Sequence, residues 1–177
     1  MIEVNLCVAA LPTQKRCSRE VLAMERRIDY SKAAPGAVQA LYPLQKYADQ
    51  SGLERSLLEL IKTRVSQLNG CAYCIDMHTK DARALGENEQ RLYALNAWRE
   101  TPFYTDRERA ALGWAESLTL IAQTHVPDED FAAARAQFSE EELVKLTMAI
   151  LAINSWNRLA IAFRETVGTY QPHVRNK

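Results

Sequence analysis

Apolar residues recur every three or four positions along most of the chain, which is the period of an amphipathic helix. After Pro35-Gly36 this pattern predicts a helix over about 37–49, because proline is favoured in the first helical turn. Asn69-Gly70 separates two further predicted helices, one ending near residue 68 and the other covering 71–85. The remaining short helices are predicted over about 89–98 and after Pro127.

Three stretches of the form Ser/Thr-x-x-Glu are typical of a capping box, in which two side chains satisfy main-chain N–H groups at a helix start. They are Ser51 with Glu54, Thr105 with Glu108, and Ser139 with Glu142. The second opens a predicted helix to about residue 123, and the third opens a long helix to about residue 168. Because 148–153 is apolar on every side, we expect this long helix at the centre of the fold or at a subunit interface. No β-strand or repeat is evident, so the predicted fold is all-α, a single-domain helical bundle.

The helical pattern begins near Met24. Residues 1–23 show no clear period and few turn or cap signals. We interpret 1–23 as an N-terminal extension, either disordered or upstream of a natural start at Met24, and 24–177 as the helical domain.

Charge and composition exclude several classes of protein. The 177 residues include 22 Lys plus Arg and 22 Asp plus Glu, whereas a nucleic-acid-binding protein normally has a basic surplus. No apolar stretch approaches the roughly 20 residues that cross a bilayer. Four cysteines, two of them in a Cys-x-x-Cys pair, indicate a reducing compartment more than a secreted disulfide scaffold. We therefore expect a cytoplasmic protein with neither a membrane nor a nucleic acid as its partner.

The candidate chemistry lies in Cys71, Cys74 and His78, which stand at i, i+3 and i+7 and so share one face of a helix. Both sulfurs fall in the first helical turn after Asn69-Gly70, where free N–H groups and the helix dipole favour a thiolate. A helix N-terminus and a nearby imidazole both lower the pKa of a cysteine, and the thiolate is the reactive form. Two thiols at this spacing can also close a disulfide, so one can attack and the other can resolve the adduct.

Glu59 is the predicted partner of His78. If the helix that ends near residue 68 packs antiparallel to the next one, residues about ten positions before and after the turn lie level with each other. Glu59 meets that condition opposite His78 to within a turn. A carboxylate beside an imidazole orients it and raises its basicity.

Other interpretations of these residues remain open. Cys71, Cys74 and His78 could bind zinc, although a structural zinc site needs four ligands and no second pair stands at suitable spacing. A thioredoxin-type motif would follow a β-strand, and none is predicted. Glu59 alone could be a solvated helix residue. Nearby Lys62 and Arg64 are expected to be solvent-facing or salt-bridged, and Arg158 to form a buried or interfacial ion pair.

The segment 59–86 resembles the alkylhydroperoxidase D branch of the carboxymuconolactone decarboxylase superfamily. That family has a Glu, eleven residues, Cys-x-x-Cys, three residues and a His. Glu59, Cys71, Cys74 and His78 fit this pattern without a gap. The stretch 152–161 is similar to the final helix of the group, so the resemblance covers about 24–170.

The resemblance implies an all-α fold that assembles as a homo-trimer or homo-hexamer and reduces hydroperoxides. It implies that Cys74 forms a sulfenic acid, that Cys71 resolves it to a disulfide, and that Glu59 and His78 relay protons. No bound cofactor is implied; an external dithiol of the dihydrolipoamide type, on a protein or lipoyl donor, would recycle the pair. In the best-known branch a histidine stands between the cysteines, where this chain has Tyr73.

Three functional hypotheses follow. The first is a thiol peroxidase that reduces alkyl hydroperoxides through Cys71 and Cys74. The second is a redox-sensing or disulfide-exchange module without significant peroxidase turnover, and the third is a zinc-stabilised structural protein.

Overall fold

The chain folds into a bundle of α-helices. A computed structural model describes residues 25–172, and no β-strand occurs among them. The helices are α1 (Tyr30–Ala33), α2 (Pro35–Gln39), α3 (Tyr42–Asp49), α4 (Arg55–Asn69), α5 (Ala72–Ala84), α6 (Glu89–Ala94), a 3₁₀ helix (Leu95–Glu100), α7 (Asp106–Thr119), α8 (Ile121–Thr124), α9 (Asp128–Gln137) and α10 (Glu140–Phe163). The predicted all-α class is confirmed. The proposed extension 1–23 lies outside the described residues.

Helix α4 is the centre of the bundle. It packs against α5, α7 and α10, and the long α10 also lies along α3. Apolar and polar side chains alike are buried on α4, which is expected of a helix surrounded by others. The fully buried apolar residues of α4 are Leu60, Ile61 and Val65.

Helix α10 is only partly covered. Leu146, Ile150 and Ile153 are buried, whereas Leu151 remains 46% exposed and Val144 59% exposed. Contrary to the expectation from sequence, α10 is long and apolar enough, by length and composition alone, to cross a membrane. It also buries polar side chains that are hydrogen-bonded to other helices, as a core helix of a bundle does.

Two of the three predicted capping boxes are confirmed, those of Thr105 with Glu108 at α7 and Ser139 with Glu142 at α10. The predicted capping box of Ser51 with Glu54 is wrong, because α4 begins at Arg55 with Glu54 as its N-cap residue. Ser51 lies in the preceding turn, where its Oγ accepts from the N–H of Leu53 at 3.4 Å. Gly52 has a φ of +84°, which turns the chain away from a helical path between Ser51 and Glu54.

Several predicted helix boundaries also differ from the structure. The helix predicted over 37–49 is divided into α2 and α3, because Pro43 lacks the N–H that would bond to the carbonyl of Gln39, four residues earlier. The helix predicted to about residue 123 ends at Thr119, and α8 follows after Leu120. The last helix ends at Phe163, since Arg164 adopts a left-handed φ of 55°.

The turn between α4 and α5 determines where the cysteines lie. Gly70 has a φ of 70°, and its N–H bonds to the carbonyl of Gln67 at 3.2 Å. The N–H of Cys71 bonds to the carbonyl of Ser66 at 2.9 Å. This pair of bonds is a Schellman motif, which ends α4 and allows α5 to start at once in the antiparallel direction.

Replacing Gly70 by alanine should destabilise the fold by about 1 kcal/mol, because a Cβ is disfavoured at positive φ. No atom lies within 4 Å of the Cβ that would be added, so the cost comes from the backbone conformation alone. Gly36→Ala is the matched control, since Gly36 also has open space but a helical backbone. Urea unfolding should show a lower free energy of unfolding for Gly70→Ala and no decrease for Gly36→Ala. Equal decreases in the two variants would contradict this role of Gly70.

Candidate active site

Cys71 is the N-cap residue of α5, and Cys74 lies in its first turn. The Cys71 Sγ accepts from the N–H of Cys74 at 3.3 Å, and the two cysteines are joined by a disulfide with their Cα atoms 5.3 Å apart. Each residue is only 1% exposed. A helix N-terminus stabilises a thiolate when such a pair is reduced. A substrate can reach either sulfur only if neighbouring groups move.

His78 lies one turn after Cys74 on the same face of α5 and contacts Glu59 of α4. The His78 Nδ1 is 2.8 Å from the Glu59 Oε2, and both residues are buried. The predicted meeting of these two residues across antiparallel helices is therefore present. An ionised carboxylate can only accept, so His78 donates through Nδ1–H, and Nε2 is the ring nitrogen that Glu59 does not engage.

Lys62 extends this contact on α4. Its Nζ lies 3.0 Å from the Glu59 Oε1 and 3.1 Å from the Asp49 Oδ1, and the residue is 6% exposed. Of the two environments expected for Lys62, the salt-bridged one is observed. Sequence reasoning did not place Lys62 or Asp49 at the site. The available signal was the i, i+3 spacing of Glu59 and Lys62, which puts them on one helical face.

The charged forms of Glu59 and Lys62 stabilise each other. Burial alone would raise the pKa of Glu59, but the hydrogen bond from His78 and the positive charge of Lys62 lower that pKa to about 2. Burial opposes the charged form of Lys62, yet the carboxylates of Glu59 and Asp49 raise the pKa of Lys62 above its usual value. At neutral pH the Glu59 carboxylate is therefore ionised.

Asp81 and Tyr170 border the cluster. One oxygen or nitrogen atom from each of Glu59, His78 and Asp81 lies within 4.8 Å of the others, a set that by residue type could bind a cation. The two Glu59 oxygens are already used by Lys62 and His78. The Tyr170 hydroxyl donates to the Asp81 Oδ1 at 2.7 Å. Burial, joined by the negative charge of Glu59, raises the pKa of Asp81 despite this hydrogen bond.

Tyr73 lies between the two cysteines in the sequence, where the sequence comparison raised the question of a second base. Partial burial raises the pKa of Tyr73, and the negative charges of Glu165 and Asp76 act in the same direction. The side chain is therefore a neutral phenol at physiological pH, and it is not a base comparable to an imidazole.

An asparagine network fixes the α4–α5 turn to α10. The Asn69 Nδ2 donates to the Oδ1 atoms of Asn154 and Asn157, at 3.0 and 2.9 Å. The Asn157 Nδ2 in turn donates to the Ser66 Oγ at 3.2 Å. The ion pair expected for Arg158 is not found among the described residues; its Nη1 donates to the Asn154 carbonyl and Oδ1, at 2.9 and 3.0 Å. The amide oxygen of Asn154 takes the place of a carboxylate.

Comparisons with known proteins identify the family of this chain. The model of the carboxymuconolactone decarboxylase family matches residues 35–117. The uncharacterized protein YdfG of Bacillus subtilis is 50% identical over 139 residues, which are 78% of this chain and 95% of YdfG. The chain belongs to the carboxymuconolactone decarboxylase family.

Two solved structures share the fold of this chain. A protein of unknown function from Agrobacterium tumefaciens, provisionally assigned to antioxidant defence as AhpD, is 49% identical. It superimposes with a TM-score of 0.80, over 82% of this chain and 100% of that one. The debrominase Bmp8 superimposes with a TM-score of 0.70 at 24% identity, over 78% of this chain and 74% of Bmp8. The second likeness shows the fold alone, whereas the first places the chain in the AhpD-like group.

Acid stability should depend on Glu59. Its folded-state pKa of about 2 lies below the ordinary value, so its charge stabilises the folded state above about pH 4.5, and this stabilisation is lost as the pH falls towards 2. Glu59→Gln removes that titration. Urea unfolding across this range should show a smaller decrease in the free energy of unfolding for Glu59→Gln than for the wild type. Glu100→Gln, which removes an exposed carboxylate, is the control and should leave this decrease as in the wild type. If the free energy of unfolding of Glu59→Gln fell with pH as steeply as that of the wild type, the lowered pKa of Glu59 would be contradicted.

Proposed function

We propose that this protein is a thiol-dependent peroxidase that reduces alkyl hydroperoxides with the Cys71/Cys74 pair. The observation that carries the proposal is the placement of that pair at a helix N-terminus, one turn from a buried Glu59–His78 hydrogen bond. This arrangement combines thiols that can alternate between dithiol and disulfide with a base that can move their protons.

The reaction begins on the reduced pair. The Cys74 thiolate attacks the terminal oxygen of the hydroperoxide, the O–O bond breaks, and the alkoxide leaves as an alcohol after it takes a proton. Cys74 is thereby oxidised to a sulfenic acid. The Cys71 thiolate then attacks the Cys74 sulfur, the disulfide forms, and the hydroxyl group leaves as water with a second proton. An external dithiol reduces the disulfide and is itself oxidised, which returns both thiols.

His78 serves the proton transfers in this scheme. Its Nδ1–H is engaged by Glu59, so Nε2 is the nitrogen that accepts a thiol proton and later returns one to the departing oxygen. Tyr73 cannot take the place of a second imidazole, so we expect the relay to pass through His78 alone.

The reductant and the assembly are also part of the proposal. A dihydrolipoamide-type dithiol, on a protein or a lipoyl group, suits a disulfide that must be opened by two thiols. We further propose a homo-trimer or homo-hexamer, since Val144, Leu151 and Ile161 leave apolar surface on α10 exposed.

A redox switch is the second candidate. It is favoured by the burial of both cysteines and by the packing of the C-terminal segment on α5. There the Gly168 N–H donates to the Asp76 Oδ2 at 3.2 Å, and the Lys80 Nζ donates to the Tyr170 carbonyl at 3.0 Å. In this alternative, opening the disulfide would change this contact and the binding of a partner, without peroxide turnover.

Steady-state turnover separates the two candidates. With cumene hydroperoxide as substrate and dihydrolipoamide as reductant, Cys74→Ser should lower kcat/KM by at least about a hundredfold, because the nucleophile is removed. The control is Cys17→Ser, which removes a cysteine of the predicted N-terminal extension 1–23 and should leave the rate unchanged. Full turnover in Cys74→Ser would refute the peroxidase. No turnover by the wild type, although oxidant closes the disulfide, would favour the switch.

A further inference from the structure

The two carboxylate oxygens of Glu59 have different partners. The His78 Nδ1 lies 2.8 Å from Oε2, and the Lys62 Nζ lies 3.0 Å from Oε1. Lys62 is itself 6% exposed, and its other acceptor, Asp49, belongs to α3. A buried lysine is costly unless its charge is paired, so this position of Lys62 needs an explanation.

Arg64 provides a comparison on the same helix. It forms an ion pair of comparable burial, with its Nε 2.7 Å from the Glu116 Oε1 and 12% exposure at both side chains, against 7% and 12% for the side chains of Lys62 and Glu59. Glu116 also accepts from the Trp98 Nε1 at 2.8 Å, so that cluster joins α4 to α7 and the 3₁₀ helix. Only the Lys62 pair shares its carboxylate with His78. Two ion pairs of similar burial on α4 therefore differ in whether they reach the candidate active site.

We propose that Lys62 is a positioning residue that fixes the tautomer of His78, by holding Glu59 as an ionised acceptor so that the imidazole carries its proton on Nδ1 and keeps Nε2 free. This inference rests on the proposed function, in which Nε2 moves the protons of the cysteines. Lys62 itself does not contact the reacting atoms and acts through Glu59.

Removal of the lysine charge leaves the Glu59–His78 pair two ways to respond. Glu59 takes up a proton and keeps it, so that its hydroxyl donates a hydrogen bond to an unprotonated Nδ1 and the neutral imidazole carries its own proton on Nε2. Alternatively, His78 becomes a full imidazolium that balances the carboxylate. In both cases the neutral imidazole with a free Nε2 is lost. The other titratable groups at this cluster are Asp49 on α3, Asp81 on α5 and Tyr170 in the C-terminal segment.

The direct test is ¹⁵N NMR of the reduced protein, because the two ring nitrogens of histidine have different chemical shifts in each tautomer and in the imidazolium. His78→Gln identifies the signals of His78 among the three histidines. The variants are Lys62→Met, and Lys62→Gln as a less disruptive one that keeps a hydrogen-bond donor without the charge. Lys62→Arg should rescue the wild-type pattern, and Arg64→Met is the matched control.

We expect wild type, Lys62→Arg and Arg64→Met to show a neutral imidazole protonated on Nδ1. The folded Lys62→Gln or Lys62→Met protein should show an Nε2-protonated ring or an imidazolium. A folded variant without the lysine charge that keeps the wild-type pattern would overturn the proposal. This readout does not require turnover, so it holds or fails separately from the peroxidase.

Kinetics provide the second readout. Lys62→Gln should lower kcat/KM for cumene hydroperoxide by about tenfold and change its pH profile, as loss of a partner behind a catalytic histidine does. Lys62→Arg should retain most of the rate, and Arg64→Met should keep the wild-type profile. An unchanged pH profile in Lys62→Gln, with the wild type active, would also overturn the proposal.

Discussion

Helices α4 and α5 are joined by a hydrogen bond between Glu59 and His78, and both residues are buried away from water. A carboxylate in such a place must be paired, or it takes up a proton and loses its charge. His78 pairs with one oxygen of Glu59 and Lys62 with the other. These two partners outweigh the effect of burial on the pKa of Glu59, so Glu59 is ionised at neutral pH. The orientation of the imidazole, and with it the chemistry available to the cysteines, depends on that pairing.

The rest of the fold holds the two helices in the register that this bond needs. The left-handed Gly70 ends α4 and allows Cys71 to start α5 immediately. Asn69 ties the same turn to α10 through two amide side chains, so the turn is supported from the core. Because α4 is surrounded by helices, displacement of the turn would disturb packing on several sides at once. The cysteines are thus placed by the core of the bundle, although they stand at a helix end.

Much of the site could be predicted from the sequence because its chemistry is local. The spacing of Cys71, Cys74 and His78 predicts one helical face, and a simple antiparallel register predicts Glu59 opposite His78. Lys62 was harder to place, because a lysine at i+3 is usually solvated and its burial depends on how α3 packs. The contact of Tyr170 with the cluster depends on a segment after the last helix, where periodicity carries no information.

The fold was predicted in class but less well at its boundaries. Apolar periodicity and two capping boxes indicate the long helices correctly, since both signals lie within the helix concerned. The break before α3 and the end of α10 at Phe163 depend on a single Pro43 and on the left-handed Arg164. The bond of Arg158 to Asn154 depends on tertiary packing, so residue type alone favoured a carboxylate partner.

A single-turnover measurement tests the central claim most directly. Reduced protein is mixed with one equivalent of cumene hydroperoxide without any external dithiol, and the disulfide and the alcohol are quantified over time. We expect one Cys71–Cys74 disulfide for each alcohol formed, and a rate about a hundredfold lower in His78→Gln, because a positioned base contributes about that much. Alcohol formed without the disulfide, or at the same rate in His78→Gln, would contradict the assignment of this site.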